Sequence, residues 1–170
     1  ALVRVDYEQL PVLEDPASAL ANTAPILHPE GNLFRRVSLV HGGPIVPAEI
    51  EVEGLWQTGR QDQAFLGPES ALAIPQGDGG VTLQLATQDL HADRRQIARA
   101  LDLSLDLVRL ELSGVGGAFG GREDITCQIH LCLAALRLGR PVKTTYTRSE
   151  SFLAHPKRHP AKMHYRVGAD

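Results

Sequence analysis

A chain of 170 residues, 43% apolar and 22% charged, falls in the ordinary globular range and can bury a core. Its formal net charge of −3 gives no general attraction to nucleic acid or to an anionic membrane. No apolar run approaches the ~18 residues of a membrane-spanning helix, so neither partner is expected.

From the start, Leu2-Val3-Arg4-Val5-Asp6-Tyr7 alternates as a strand does and predicts one over 2–8. With nothing ahead of it to pair with, residues 1–12 read as the final strand of a preceding small domain. Pro11, Pro16, Pro25 and Pro29 punctuate a stretch without period, so 13–48 is expected to be a linker with one short helix near 16–20. A third unit, 49–170, opens on a strand in which Ile50, Val52 and Leu55 roughly alternate with Glu51 and Glu53. Strands over 69–75 and 81–87, joined by Gln76-Gly77-Asp78-Gly79-Gly80, read as a hairpin. Ile97 and Leu101 place a helix over about 92–101, and alternation resumes over 107–112. A second helix is predicted over about 123–138, with Ile125, Ile129, Cys132, Leu133 and Leu136 on one side and Gly139 as its stop. Strands at 142–147 and 163–168 complete an α+β fold: a mixed sheet with packed helices and a central strand–helix–strand unit.

Cys127 and Cys132 lie five apart on the second predicted helix, a poor spacing for a disulfide. A reducing, cytoplasmic setting follows as the expectation. Two cysteines are also too few for a four-thiolate iron–sulfur site. The run His155-Pro156-Lys157-Arg158-His159-Pro160 is basic, but its prolines keep His155 and His159 off a common helix face. No further ligand accompanies them, so no metal site is expected and the run reads as a solvated or interface loop.

The segment Gly114-Val115-Gly116-Gly117-Ala118-Phe119-Gly120-Gly121-Arg122-Glu123 is the most unusual, with five glycines in ten residues. Glycine lets backbone amides approach a ligand and adopt positive φ. A predicted strand precedes the loop and a predicted helix N-terminus follows it, a place that favours anions. Two readings stand open here: a cradle for a negatively charged oxygen, or a tight connection that binds nothing. A dinucleotide fingerprint is excluded because Phe119 stands where its last glycine belongs. A P-loop is excluded because Arg122-Glu123 replaces Lys-Ser/Thr.

The run Gly116-Gly117-Ala118-Phe119-Gly120-Gly121-Arg122-Glu123 resembles the Gly-Gly-Gly-Phe-Gly-Gly-Lys-Glu signature of the molybdenum-cofactor subunit of xanthine dehydrogenases and aldehyde oxidases. One glycine is replaced by alanine and the lysine by arginine. Gly59-Arg60-Gln61-Asp62-Gln63 is similar to that family's Gly-Gly-Gln-(Asp/Glu)-His segment. Ala64-Phe65-Leu66-Gly67-Pro68-Glu69 departs from the usual Phe-Tyr-Leu-Glu ending toward a bacterial sub-branch. Gly139-Arg140-Pro141-Val142-Lys143, Arg148-Ser149-Glu150 and Arg158-His159-Pro160 follow in the family's order, and Val5-Asp6-Tyr7-Glu8-Gln9-Leu10-Pro11 resembles the strand that closes its preceding small domain.

The resemblance implies that 49–170 is part of the first molybdenum-cofactor-binding domain of the large subunit. It also implies an oxidoreductase that hydroxylates a purine such as xanthine or hypoxanthine with oxygen from water. The alternatives are an aldehyde or another N-heterocycle as substrate. The cofactor would be molybdopterin or its cytosine dinucleotide, with [2Fe–2S] clusters and FAD on other domains or subunits. The remainder of the molybdenum subunit, those electron-transfer partners and a small-molecule substrate are the implied partners. By motif match Gln61 corresponds to a glutamine that hydrogen-bonds an oxo ligand of molybdenum, as a neutral amide can. Its bland alternative is a polar residue in a surface turn. Gly117, Ala118, Phe119 and Gly120 match the loop passing beside the metal, and Glu123 a glutamate that binds purine. A carboxylate in a first helical turn would also stabilise that helix through its dipole, the plain reading of Glu123. No residue of this chain is implied as a metal ligand, and the family's catalytic base lies outside these residues, so the chain alone is expected to be inactive. A reading of another class is a small anion-binding or interaction module without catalysis.

Overall fold

The computed structural model describes residues 4–21, 23–43 and 47–170. The chain forms two compact units, 1–47 and 48–170. In the first, the described part of the predicted strand, residues 4–8, has no regular structure, and no described segment pairs with it. Leu2 and Val3 lie outside the described residues. A strand has no partner for its backbone groups unless another edge is supplied, and here they face solvent. The expected short helix is present as α1 (Pro16–Ala19), where Pro16 opens the turn and Asp15 accepts from the Ser18 N–H at 2.8 Å. Asn32 ties the irregular chain beside it: its Oδ1 accepts from Leu27 N, and its Nδ2 donates to the Ala19 and Pro25 carbonyls.

The second unit contains a four-stranded mixed sheet and a separate two-stranded ribbon. The sheet is ordered β4 (Val108–Leu112), β3 (Val81–Leu85), β2 (Ser70–Pro75), β5 (Val142–Thr145). β2 and β3 form the predicted antiparallel hairpin, with Ala73 opposite Leu83. β3 and β4 run parallel, with Val81 opposite Val108, and α2 (Leu90–Leu101) makes the crossover. β5 pairs antiparallel with the far side of β2, and α3 (Gln128–Leu138) carries the chain across from β4.

Alternation places Ala71, Ala73, Val81, Leu83, Leu85 and Val108 on one face of this sheet. These residues form the buried core with Ile97 and Ala98 of α2 and Leu131, Cys132 and Ala135 of α3. Both helices therefore cover the same face. Asp89 caps α2, accepting from Ala92 N at 2.9 Å, so the helix begins ahead of the apolar spacing that predicted it. Asp102 ends α2, and Gly139 ends α3, each in the left-handed conformation. Cys127 and Cys132 are buried and free. Burial, with Cys127 alongside, pushes the Cys132 thiol up to about 12, which leaves it inert. Among the described residues, no helix is long and apolar enough to cross a membrane.

The ribbon pairs β1 (Ile50–Thr58) with β6 (Ala161–Ala169), Val52 opposite Val167 and Trp56 opposite Met163. One face carries Ile50, Val52, Trp56, Met163, Tyr165 and Val167; the other pairs Glu51 with Arg166 and Glu53 with His164. The sequence pattern missed α4 (Arg148–Ala154) altogether. Its start is a capping box in which Thr147 and Glu150 satisfy each other's backbone N–H groups. That signature, Thr147-x-x-Glu150 ahead of Phe152-Leu153, is visible in the sequence.

One core residue is a carboxylate. Asp93 in the first turn of α2 has no exposed surface, and neither of its oxygens meets hydrogen-bond geometry. Burial pushes its carboxyl above the usual range; nearby Thr87 opposes this, while Asp89 and Asp124 add to it. A raised folded-state value means that the folded chain holds the proton more tightly. No penalty exists below the unfolded value near ~3.9, and stability falls as pH rises from there through the folded value. Asp93→Asn should therefore stabilise the chain at neutral pH by about 1–3 kcal/mol and lose that advantage near about pH 4. Urea unfolding at both pH values checks this; an equal shift at the two would disprove the charge-burial account.

Candidate functional site

Two segments that are distant in sequence meet at one end of the second unit. Gln61 forms an isolated antiparallel bridge with Arg158: Arg158 N donates to Gln61 O at 2.9 Å, and Gln61 N donates to Arg158 O at 3.3 Å. The basic run, expected to be a solvated or interface loop, thus holds Gln61 through its backbone. A cleft of about 700 Å³ opens beside this bridge, lined by Gln61, Gln63, Phe119, Gly120, Glu123 and the 156–161 segment. Gln61 from one segment and Phe119, Gly120 and Glu123 from another therefore face a common space. Gly117 and Ala118 do not line it. Ala118 is buried, and Gly117 lies under the Phe119 ring.

The glycine loop has an unusual backbone. Gly117, Phe119 and Gly120 have φ of +97°, +52° and +79°, and Phe119 is 76% exposed. A left-handed phenylalanine with an exposed ring is costly and persists only where its surroundings demand it. A Cβ at Gly120 would meet nothing within 4 Å, so its backbone stands bare toward the cleft. Gly121 is the opposite case. A Cβ there would fall 2.9 Å from the Phe65 ring and 3.0 Å from Gln63 Cδ, so this glycine is required by packing.

The predicted helix start is corrected. α3 begins at Gln128, not near Glu123, and Cys127 at its N-cap makes no side-chain cap bond. The reason lies at Arg122. Its carbonyl accepts from Gln88 N at 3.0 Å and Thr87 Oγ1 at 3.1 Å, and its N–H donates to Gln88 Oε1. A helix entering here would need that carbonyl for its own first turn. Glu123 is consequently an exposed residue of an irregular segment, free of the capping role, and the loop is not seated directly on a helix N-terminus.

Beneath the cleft lies a buried charged cluster that the sequence did not reveal. Arg122 is 7% exposed and places its guanidinium 4.1 Å from the Phe65 ring centroid. It donates to the Gly67 and Ala86 carbonyls. Burial lowers its affinity for the proton, and Glu69, itself 5% exposed, opposes that shift. His155, 3% exposed, also packs against Phe65, with ring centroids 5.0 Å apart. Its Nε2 lies 3.1 Å from Asp62 Oδ2, and its Nδ1 lies 3.3 Å from Glu69 Oε1. Asp62 also meets Lys157 Nζ at 3.1 Å and accepts from Ala64 N at 2.7 Å. Its burial would raise the carboxyl value, but the Ala64 N–H, Lys157 and His155 together outweigh burial and hold it below the usual range.

An open cleft lined by a bare left-handed loop and a backbone-pinned amide describes one wall for a large polar ligand. Gln63 Oε1, buried without a hydrogen-bond partner, is a further polar atom at the same place. These features fit a polyanionic pterin cofactor. Residues 45–170 match the molybdopterin cofactor-binding domain. The chain is 36% identical over 172 residues to a probable xanthine dehydrogenase subunit of Bacillus subtilis (strain 168), covering 99% of this chain and 23% of that protein. It is 31% identical to the nicotinate dehydrogenase large molybdopterin subunit of Eubacterium barkeri, covering 98% of this chain and 40% of that one. The solved aldehyde oxidoreductase from Desulfovibrio gigas superposes with a TM-score of 0.88 at 29% identity, over 98% of this chain and 19% of that one. The chain belongs to the molybdopterin cofactor-binding domain family, as part of a molybdopterin-binding subunit of the molybdenum hydroxylases. It spans less than half the length of the relatives it matches.

Proposed function

We propose that the intact protein hydroxylates a purine with oxygen from water, and that this chain supplies one wall of its molybdenum–pterin site. The observation that carries this reading is the convergence of Gln61, Phe119, Gly120 and Glu123 on one cleft. When bound, the cofactor supplies the redox chemistry. The chain's residues bind and orient. Gln61, fixed through both backbone groups, offers a neutral amide N–H to an oxygen of the cofactor without adding charge. Gly120 presents bare backbone, and Gly117 and Ala118 shape the turn that brings Phe119 to the cleft. Glu123, free of helix capping, offers a carboxylate to the N–H groups of a purine ring. Iron–sulfur and FAD partners would take the electrons, and buried, free thiols suit a reducing cytoplasm.

The purine reading is distinguished from an aldehyde or a different N-heterocycle at Glu123. A hydrogen bond to a charged group contributes roughly 1.5–3 kcal/mol. In the intact enzyme, Glu123→Gln should lower xanthine turnover by about tenfold or more and leave an aldehyde substrate less affected. Equal loss on both classes, or wild-type turnover of aldehyde alone, would reject purine as the substrate.

A further inference from the structure

We infer that His155 is a positioning residue, clamping the segment that carries Gln61 to the sheet that carries the glycine loop. Its ring is the joint between three elements. Nε2 faces Asp62, the residue following Gln61; Nδ1 faces Glu69 beside the start of β2, with Ser151 Oγ of α4 at 3.4 Å from the same nitrogen. The ring packs at a tilt against Phe65, over which the Arg122 guanidinium also lies. Asp62 Oδ1 closes a tight turn onto Ala64 N, where Ala64 has a φ of +47°. Gln61 is thus held from two sides: its backbone by Arg158, and the side chain next to it by His155.

The clamp is short of redundancy. Gln61 is exposed, and the bonds that tie it to another segment are its two backbone bonds to Arg158. Asp62 shares its Oδ2, a buried atom, between His155 and Lys157, and Lys157 lies in the same 155–158 run. Removing the imidazole therefore leaves the turn held mainly by a longer, more mobile ammonium side chain. A displacement on the order of 1 Å at a positioning group can cost up to about a hundredfold in rate. The effect belongs in kcat, because Gln61 is read as acting on the cofactor, not on the substrate. The clamp's consequence for turnover rests on that reading of Gln61; the clamp itself does not.

The two ring nitrogens have different partners, so two isosteric amides separate their roles. His155→Gln can place an amide N–H near the position of Nε2, 3.1 Å from Asp62 Oδ2, while His155→Asn reaches only the Nδ1 side. In the intact enzyme, His155→Ala and His155→Asn should lower kcat by about tenfold with KM within about twofold, and His155→Gln should recover most of it. Amide hydrogen exchange over residues 59–64, measured on the same proteins, should quicken by about tenfold in the first two and stay near wild type in the third. Should His155→Ala fail to accumulate, Asp62→Asn tests the same link from its other end and should quicken exchange likewise. Unchanged exchange in 59–64, or equal behaviour of the glutamine and asparagine variants, would overturn the clamp. Quickened exchange with undiminished kcat, matched by an undiminished kcat in Gln61→Ala, would reject the reading of Gln61 and leave the clamp standing.

Discussion

Arg122→Met should destabilise the 170-residue chain by about 3–5 kcal/mol, a large share of the ~5–15 kcal/mol that holds a domain folded. The guanidinium is almost fully buried, lies over the Phe65 ring and donates to the Gly67 and Ala86 carbonyls. Methionine matches its stem in length but leaves both carbonyls without this donor and removes the guanidinium charge that acts on Glu69. Glu69 is itself buried, and a carboxylate stranded there carries the full cost of desolvation. His155 offsets part of this, since it faces the same carboxylate. Arg122→Lys restores a charge but not the planar stack, and should fall between methionine and wild type. Urea unfolding of the three proteins gives the ranking. A loss below about 1 kcal/mol for methionine would mean that Arg122 acts as an exposed pair does and that the cluster is not a structural core.

The elements that hydrophobic period alone determines were legible. β3 alternates, β2 is a short apolar run stopped by Pro75, their turn residues cluster in 76–80, and the hairpin follows. α2 and α3 show apolar spacing, and both are present. Illegible features depend on groups that meet only after folding. The late start of α3 is set by Gln88 and Thr87 taking the Arg122 carbonyl, a contact between segments far apart in the chain. The basic run 155–160 read as a solvated or interface loop, and Arg158, His159 and Pro160 are exposed; that His155 is buried against Asp62 and Glu69 was not legible, because those partners come from a distant part of the sequence. α4 is a different kind of miss, because its capping box was local and readable. For the site, the order of Gln61, the glycine loop and Glu123 pointed to one family. The clamp at His155 had no signal in the sequence, since a histidine followed by a proline does not show which carboxylates it will meet.

The 170-residue chain expressed alone, with cofactor biosynthesis intact, should hold no molybdenum and show no hydroxylase activity. Its cleft is open: Phe119 is 76% exposed, and Gln61 and Glu123 face solvent. One loop and two side chains supply few fixed donors, and a polyanionic cofactor must exchange its whole hydration shell for them. The relatives are far longer, this chain matching 23% of the Bacillus subtilis protein, which leaves ample polypeptide to close the opposite wall. The surface agrees with that division. Leu55, Leu66 and Leu153 are 83%, 87% and 88% exposed, and the ribbon turns an apolar face outward. Apolar area of this kind marks a surface built for contact, so the isolated chain should also self-associate. Elemental analysis for molybdenum and light scattering for mass test both expectations on one sample. A monomer carrying stoichiometric molybdenum would show that these 170 residues complete the site by themselves and would overturn the one-wall account of the cleft.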